Sequence, residues 1–208
     1  MHKKVVILFS LLFVFSLFSI LSCVKCGPFP DKYKVIDVKI EPVSVDYDTA
    51  GLTLPVLTEL DTNPVHYTQF GLLLNPITQT YFSSNFYPNS FGIINSAYAC
   101  SPVKPYTDDY ITNIEIYTDK DFDAKHSKDD NLAEYFDVFV ADNQTNTVLK
   151  KDLISYLKSK PTVPHQIVLQ LNTPPVKDTS FVFTVIYTQK GVALGSVNLE
   201  TEVVRLIR

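Results

Sequence analysis

"SFVFTVIYT", Ser180 to Thr188, decides the fold class. Phe181, Phe183, Val185 and Tyr187 alternate with Val182, Thr184 and Ile186. That period of two puts the largest side chains on one face of a strand, whereas a helix would scatter them around its axis. Every residue from Phe181 to Thr188 is aromatic or β-branched, the types that fit a pleated, half-buried surface. A turn region with Gly191 and Gly195 follows, and then the apolar segment Val197 to Ile207. Together they predict a C-terminal hairpin.

The same alternation recurs upstream. In "YKVIDVKIE", Ile36, Val38 and Ile40 are expected on one face, with Asp37, Lys39 and Glu41 on the other. "YITNIEIYT" opposes Ile114 and Ile116 to Asn113 and Glu115, and "HQIVLQL" opposes Ile167, Leu169 and Leu171 to Gln166 and Gln170. Weaker strands are read at 66–74, 81–86, 136–140 and 199–207, separated by Asn75-Pro76, Pro88-Asn89 and Thr173-Pro174-Pro175. Two stretches read as helix. "TVLKKDLISYLKSKP" puts Leu149, Leu153, Tyr156 and Leu157 on one stripe and stops before Pro161, while "SKDDNLAEYF" offers Ser127 or Asp129 as an N-cap for a turn or two. Roughly seven or eight short strands with turns between them predict a mainly β fold. The expectation is an antiparallel β-sandwich, immunoglobulin-like or similar, with one or two short helices, over residues 32–208.

The N-terminus carries a different message. Lys3 and Lys4 precede an apolar run from Val5 to Leu21 broken only by Ser10, Ser16 and Ser19, a charged region followed by a hydrophobic one. Ile20-Leu21-Ser22-Cys23 then resembles a bacterial lipobox, with Leu21 in place of the usual smaller residue. The resemblance implies a signal peptide over 1–22 and a lipidated N-terminus and tether over 23–31. The Cys23 thiol would be alkylated by a diacylglyceryl group, because a thiolate is the nucleophile, and its freed amine acylated. Two or three chains anchor stably where one is marginal, at about 0.8 kcal/mol per buried methylene. A plain secretory peptide and an uncleaved anchor helix are the alternatives.

Cleavage before Cys23 would leave roughly 185 residues, enough for one domain with a substantial core. It would reduce the 18 basic residues to 16 against 22 acidic ones, moving the formal charge from -4 to -6. That balance speaks against nucleic acid as a partner, since binding phosphates takes clustered Lys and Arg. Cys26 and Cys100 remain as a candidate disulfide in an oxidising compartment, closing a loop of about 75 residues. A free Cys26 in the tether and a buried Cys100 fit the sequence equally.

"DKDFDAKHSKDD" is the one stretch with metal-ligand spacing. Asp119, Asp121, Asp123 and Asp130 fall at the first, third, fifth and twelfth positions of a twelve-residue loop, as calcium ligands do in an EF-hand. Ala124 stands where that loop wants glycine and His126 where an apolar residue packs, and a strand precedes in place of a helix. A solvated acidic connection anchored by Phe122 is the competing reading. Without His2 the histidines are His66, His126 and His165, widely spaced, and the chain has neither a G-x-S-x-G elbow nor a phosphate-binding glycine loop. Enzyme activity has little support in the sequence.

Binding has more. "YFSSNFYPNSFGIINSAYACSPVKPY" is dense in Tyr, Phe and Asn, a mix suited to adaptable recognition. Tyr81, Tyr87, Tyr98 and Tyr106 are candidates for a glycan or peptide platform, although aromatic residues in strands more commonly fill a core and the chain has no Trp.

With the lipobox, "NSAYACSPVKPY" and "ITNIEIYTDKDFDAKH", the mature chain resembles a family of Bacteroidetes lipoproteins of unknown function. The resemblance implies an outer-membrane, lipid-anchored protein and supplies no activity. Val24 to Gly27 carries no acidic export tag, so the periplasmic and cell-surface faces both remain open. Asp48-Thr49-Ala50 resembles that phylum's O-glycosylation site, with Thr49 as acceptor. The expectation is a protein attached to the membrane through Cys23 that binds or scaffolds a glycan or protein without catalysis. An envelope glycan or peptide hydrolase and a calcium-stabilised adhesion module are the rival readings.

Overall fold

The computed structural model describes residues 32–46, 55–60, 63–82, 104–142 and 147–208. Cys23, Cys26, Thr49, Tyr87, Tyr98 and Cys100 lie outside them, as does the expected signal peptide. In chain order the elements are β1 (Lys32–Asp46), β2 (Val56–Glu59), β3 (Val65–His66), β4 (Phe70–Tyr81), β5 (Tyr110–Thr118), β6 (Phe136–Asp142), β7 (Thr147–Asp152), α1 (Leu153–Lys158), β8 (Ile167–Leu171), β9 (Thr179–Phe181), β10 (Phe183–Lys190), β11 (Ser196–Glu200) and β12 (Val204–Ile207). Short 3-10 turns at Tyr67–Gln69 and Ala133–Tyr135 lead into β4 and β6. Among the described residues no helix is long and apolar enough to cross a membrane.

Two compact units are present. One comprises Met1–Tyr33 and Thr80–Tyr106, the other Lys34–Gln79 and Thr107–Arg208. In the first, Tyr33 N–H donates to the Tyr106 carbonyl at 2.9 Å, and the Lys32 ammonium sits 5.0 Å above the Tyr106 ring. The second holds the sheets and the core.

The fold is mainly β and sandwich-like, as the alternation predicts. A six-stranded sheet runs in the order β2-β1-β4-β8-β6-β7, a three-stranded sheet β11-β10-β5, and a second three-stranded sheet β3-β12-β9. Among the described residues β3 and β12 pair in parallel, while β1 with β2, β4 with β8, β6 with β7 and β8, β9 with β12, and β10 with β5 and β11 pair antiparallel. Leu72, Leu169 and Val138 stand in one cross-strand row and Leu74, Ile167 and Val140 in the next, all facing the main core. The β5 and β10 side chains Ile114, Ile116, Phe183, Val185 and Tyr187 meet them with no exposed surface. Phe183 stacks on Phe70 with centroids 4.9 Å apart and receives the edge of Phe136 at 6.4 Å. Such aromatic contacts add to the area that each ring removes from water.

The segment "SFVFTVIYT" serves two sheets. Phe181 ends β9 and pairs with Val204 of β12, while Phe183 opens β10 opposite Thr118 of β5. The expected hairpin is present as β10 with β11, and β12 leaves it for the other sheet. The register slips between Thr188 and Gln189, leaving Thr112 of β5 as the extra residue. This bulge lets Ile111 and Ile114 both point into the core despite their odd spacing.

Several expectations need correction. Ile36 is 47% exposed, because β1 changes phase between the buried Val35 and Val38. Asn75-Pro76 does not end a strand: β4 runs through it. Its pairing with β8 stops at Leu74, so Pro76 removes no ladder donor there. "TVLKK" is strand and not helix, since β7 pairs with β6 up to Asp152. Asp152 then caps a six-residue helix by accepting from Ser155 N–H at 2.8 Å, and Leu153 and Tyr156 are the buried face. "SKDDN" is a turn, followed by only the 3-10 turn Ala133–Tyr135, whose first residue is held by Asn131 Oδ1.

Among the described residues one acidic side chain, that of Asp109, is wholly buried. Asp109 Oδ2 accepts from Val35 N–H at 3.0 Å and its Oδ1 from Val192 N–H at 2.7 Å, joining the start of the sheet strand β1 to the loop after β10. A Cβ on Gly191 would lie 1.8 Å from that Oδ1, so the close approach requires glycine. Both carboxylate oxygens bind backbone, which makes Asp109 a latch within the fold.

Candidate functional site

The carboxylates of the acidic connection are turned onto backbone N–H groups, most of them the connection's own. Asp119 Oδ1 accepts from Val182 N–H at 2.8 Å, and Asp119 N–H donates to the Val182 carbonyl at 3.1 Å, tying the end of β5 to the β9–β10 junction. Asp121 Oδ1 accepts from Lys128 N–H at 3.2 Å. Asp130 Oδ2 accepts from the N–H and the hydroxyl of Ser127 at 2.8 and 2.9 Å. These two Ser127 hydrogen bonds hold its carboxyl below the usual range.

Asp123 is the hub. Its Oδ1 accepts from Lys125 N–H at 2.7 Å and His126 N–H at 2.8 Å, and its Oδ2 accepts from the Tyr135 hydroxyl at 2.7 Å. Partial burial alone would raise its pKa, but the donors from Tyr135, Lys125 and His126 outweigh it and lower the value to about 2. The same bond to Asp123, with burial, pushes the Tyr135 hydroxyl up to about 12. His126 Nδ1 lies 3.2 Å from Asp123 Oδ1 and its Nε2 3.2 Å from Glu134 Oε1. A ring nitrogen that carries hydrogen can donate to the carboxylate it faces. Beneath, Phe122 is fully buried and touches Phe181 and Tyr135, with centroids 5.5 and 5.8 Å away. The expected core anchor is therefore present. Among the described residues no group of three or more His, Cys, Asp or Glu is placed to hold a metal ion.

The other histidines serve separate elements. His66 accepts from Thr68 N–H as the cap of the first 3-10 turn and lies against the Tyr67 ring at 4.8 Å. His165 is exposed before β8. Of the expected aromatic platform, Tyr81 is half-buried at the end of β4 and Tyr106 is 53% exposed.

A second constellation lies on the face of the six-stranded sheet opposite the main core. Gly71 of β4, Gln170 of β8 and Asp137 of β6 form one cross-strand row there, and Leu73, Val168 and Phe139 the next. Val43 and Val45 of β1 join the second row in a small apolar cluster of their own. Val45 comes so near Gly71 that a Cβ there would be 2.6 Å from its Cγ2. Beside this cluster opens a groove of about 480 Å³, whose polar lining includes Asp46, Gln69, Asp137, Lys150, Gln170 and Asn172.

These side chains brace one another. Gln69 Nε2 donates to Asp46 Oδ1 at 3.1 Å, Asn172 Nδ2 donates to Asp137 Oδ1 at 3.2 Å, and Gln170 Nε2 donates to the Thr68 carbonyl. The Lys150 ammonium stands 3.4 Å from Asp137 Oδ2 and 5.1 Å over the Phe139 ring. Sequence reading missed the groove because its residues come from β1, the first 3-10 turn, β6, β7 and β8 and form no motif. The available signal was β8, in which all five residues are buried, so that both faces of the strand are covered.

Fold and groove together define a mainly β, sandwich-like domain with a polar surface site. Comparison with known protein families, curated proteins and solved structures found no match to this chain.

Proposed function

We propose that the protein is a lipid-anchored component of the bacterial outer membrane with a non-catalytic binding or scaffolding role. The observation that carries the reading is Ile20-Leu21-Ser22-Cys23 at the end of a charged and then apolar N-terminal segment, followed by a β domain with a preorganised polar groove. A thiol at that position is the group on which a diacylglyceryl chain is placed, and lipid on Cys23 would hold the groove at the membrane surface. The groove's carboxylates support holding over reacting, because Asp137 is ion-paired to Lys150 and Asp46 is held by Gln69.

The test is detergent phase partitioning, with intact mass, of the native protein beside Cys23→Ser. The expected result is acyl mass on a chain beginning at Cys23 and recovery in the detergent phase, both lost in the variant. A wild-type chain without acyl mass that stays in the aqueous phase overturns the reading.

A further inference from the structure

We infer that the groove on the outer face of the six-stranded sheet is a binding site for a neutral saccharide, held through its hydroxyl groups. The inference rests on the reading of the protein as a non-catalytic binding module and names that module's ligand class.

Charge narrows the choice first. The lining carries two carboxylates, Asp46 and Asp137, and one ammonium, Lys150. An anion would meet excess negative charge. A cation at Asp137 would have to displace Lys150, whose ammonium stands 3.4 Å away and is also steadied over Phe139, and one at Asp46 would meet a carboxylate already accepting from Gln69 Nε2. A neutral ligand meets neither obstacle.

Hydrogen-bonding capacity narrows it further. Carboxylates accept, an ammonium donates, and the amides of Gln69, Gln170 and Asn172 do both. A sugar hydroxyl donates one hydrogen bond and accepts others, so adjacent hydroxyls can each bridge an acceptor such as Asp137 and a donor such as Lys150 or Asn172. The lining is braced before any ligand arrives, by Gln69 on Asp46, Asn172 on Asp137 and Gln170 on the Thr68 carbonyl. Bracing reduces the ordering cost of binding.

Geometry disfavours an added peptide strand. β8 and β6 lie inside the sheet, each with a neighbour on both sides, so this part of the wall offers side chains and no open backbone edge for strand addition. The volume of about 480 Å³ falls within the range of small-molecule sites.

The experiment uses the full chain purified from membranes in detergent, applied to an array of neutral oligosaccharides, with acidic oligosaccharides and extended peptides on the same surface. Wild type is expected to retain a subset of the neutral saccharides. Asp137→Ala and Asn172→Ala should each weaken that binding about tenfold, the effect of losing roughly 1.4 kcal/mol of contact. Asp121→Asn, in the acidic connection, should bind as wild type does. Thermal unfolding of each variant separates loss of ligand from loss of fold, and Lys150→Ala on the groove rim provides a further variant. Retention of only acidic glycans or peptides, retention of nothing, or neutral-glycan binding unchanged in all of the folded groove variants would overturn the inference. Acylation at Cys23 is read separately by mass, so a lipidated chain that ignores saccharides sinks the groove assignment alone, and an unlipidated chain that binds them sinks the anchor alone.

Discussion

The acidic connection and the outer-face groove both hold carboxylates, and they use them in opposite ways. In the connection, Asp123 and Asp130 accept from backbone groups two or three residues away, and Asp119 reaches the β9–β10 junction. In the groove, Asp46 and Asp137 come from strands far apart in sequence and meet other side chains. A carboxylate turned onto local backbone shapes a loop; one held by side chains from other strands helps line a surface groove. Density of acidic residues in sequence therefore marked the self-contained region, and the better candidate site is the dispersed one.

The largest effect that would sharpen this contrast is at Phe122. Its fully buried ring ties the connection to Phe181 and Tyr135, so Phe122→Ala should cost about 3–5 kcal/mol in chemical denaturation. A cost under about 1 kcal/mol would mean that the connection is not part of the core. Next comes the apolar cluster beside the groove. Gly71→Ala places a methyl group 2.6 Å from Val45 Cγ2, an overpacking expected to cost about 1–3 kcal/mol. Wild-type stability in that variant would show that Val45 does not sit against Gly71 as described.

Asp123→Asn should be milder at neutral pH, about 1–2 kcal/mol, through weaker hydrogen bonds from Tyr135 and the backbone. It also gives a pH test. Asp123 has a folded-state pKa of about 2 against an ordinary 3.8, so its contribution is complete above 3.8 and lost as pH falls through about 2. Between those values wild-type stability should decline more than that of Asp123→Asn, and parallel profiles would contradict the hub assigned to Asp123. The smallest effect concerns calcium. With the four aspartates engaged by backbone N–H groups, millimolar calcium should leave the unfolding midpoint unchanged, and a rise that Asp119→Asn abolishes would support the calcium reading.

Much of the fold was legible in the sequence, for a physical reason. Where one face of a strand is dry and the other wet, period two survives, as in Ile114 and Ile116 against Asn113 and Glu115, or along Phe181 to Tyr187. Legibility failed where tertiary pairing overrode local pattern. Leu149 lies at helical spacing from Leu153, yet its segment pairs with β6. Ile36 follows the alternation of "YKVIDVKIE", yet a change of phase turns it to solvent. The acidic connection was visible as a cluster and its anchor Phe122 was anticipated, but the direction of each carboxylate depends on turns that spacing alone does not specify. The groove was invisible, since Asp46, Gln69, Asp137, Lys150, Gln170 and Asn172 become neighbours only when β1, β4, β8, β6 and β7 lie side by side.

The central claim is that the acidic connection uses its carboxylates internally, which leaves the groove as the surface proposed to meet a ligand. Its most direct test is a carbon-13 NMR titration of the Asp123 side-chain carboxyl in the folded protein. The account predicts an inflection near about 2, set by the donors from Tyr135, Lys125 and His126. An inflection at or above 3.8, the ordinary value, would mean that those donors are not engaged and would return the acidic connection to contention as a binding site.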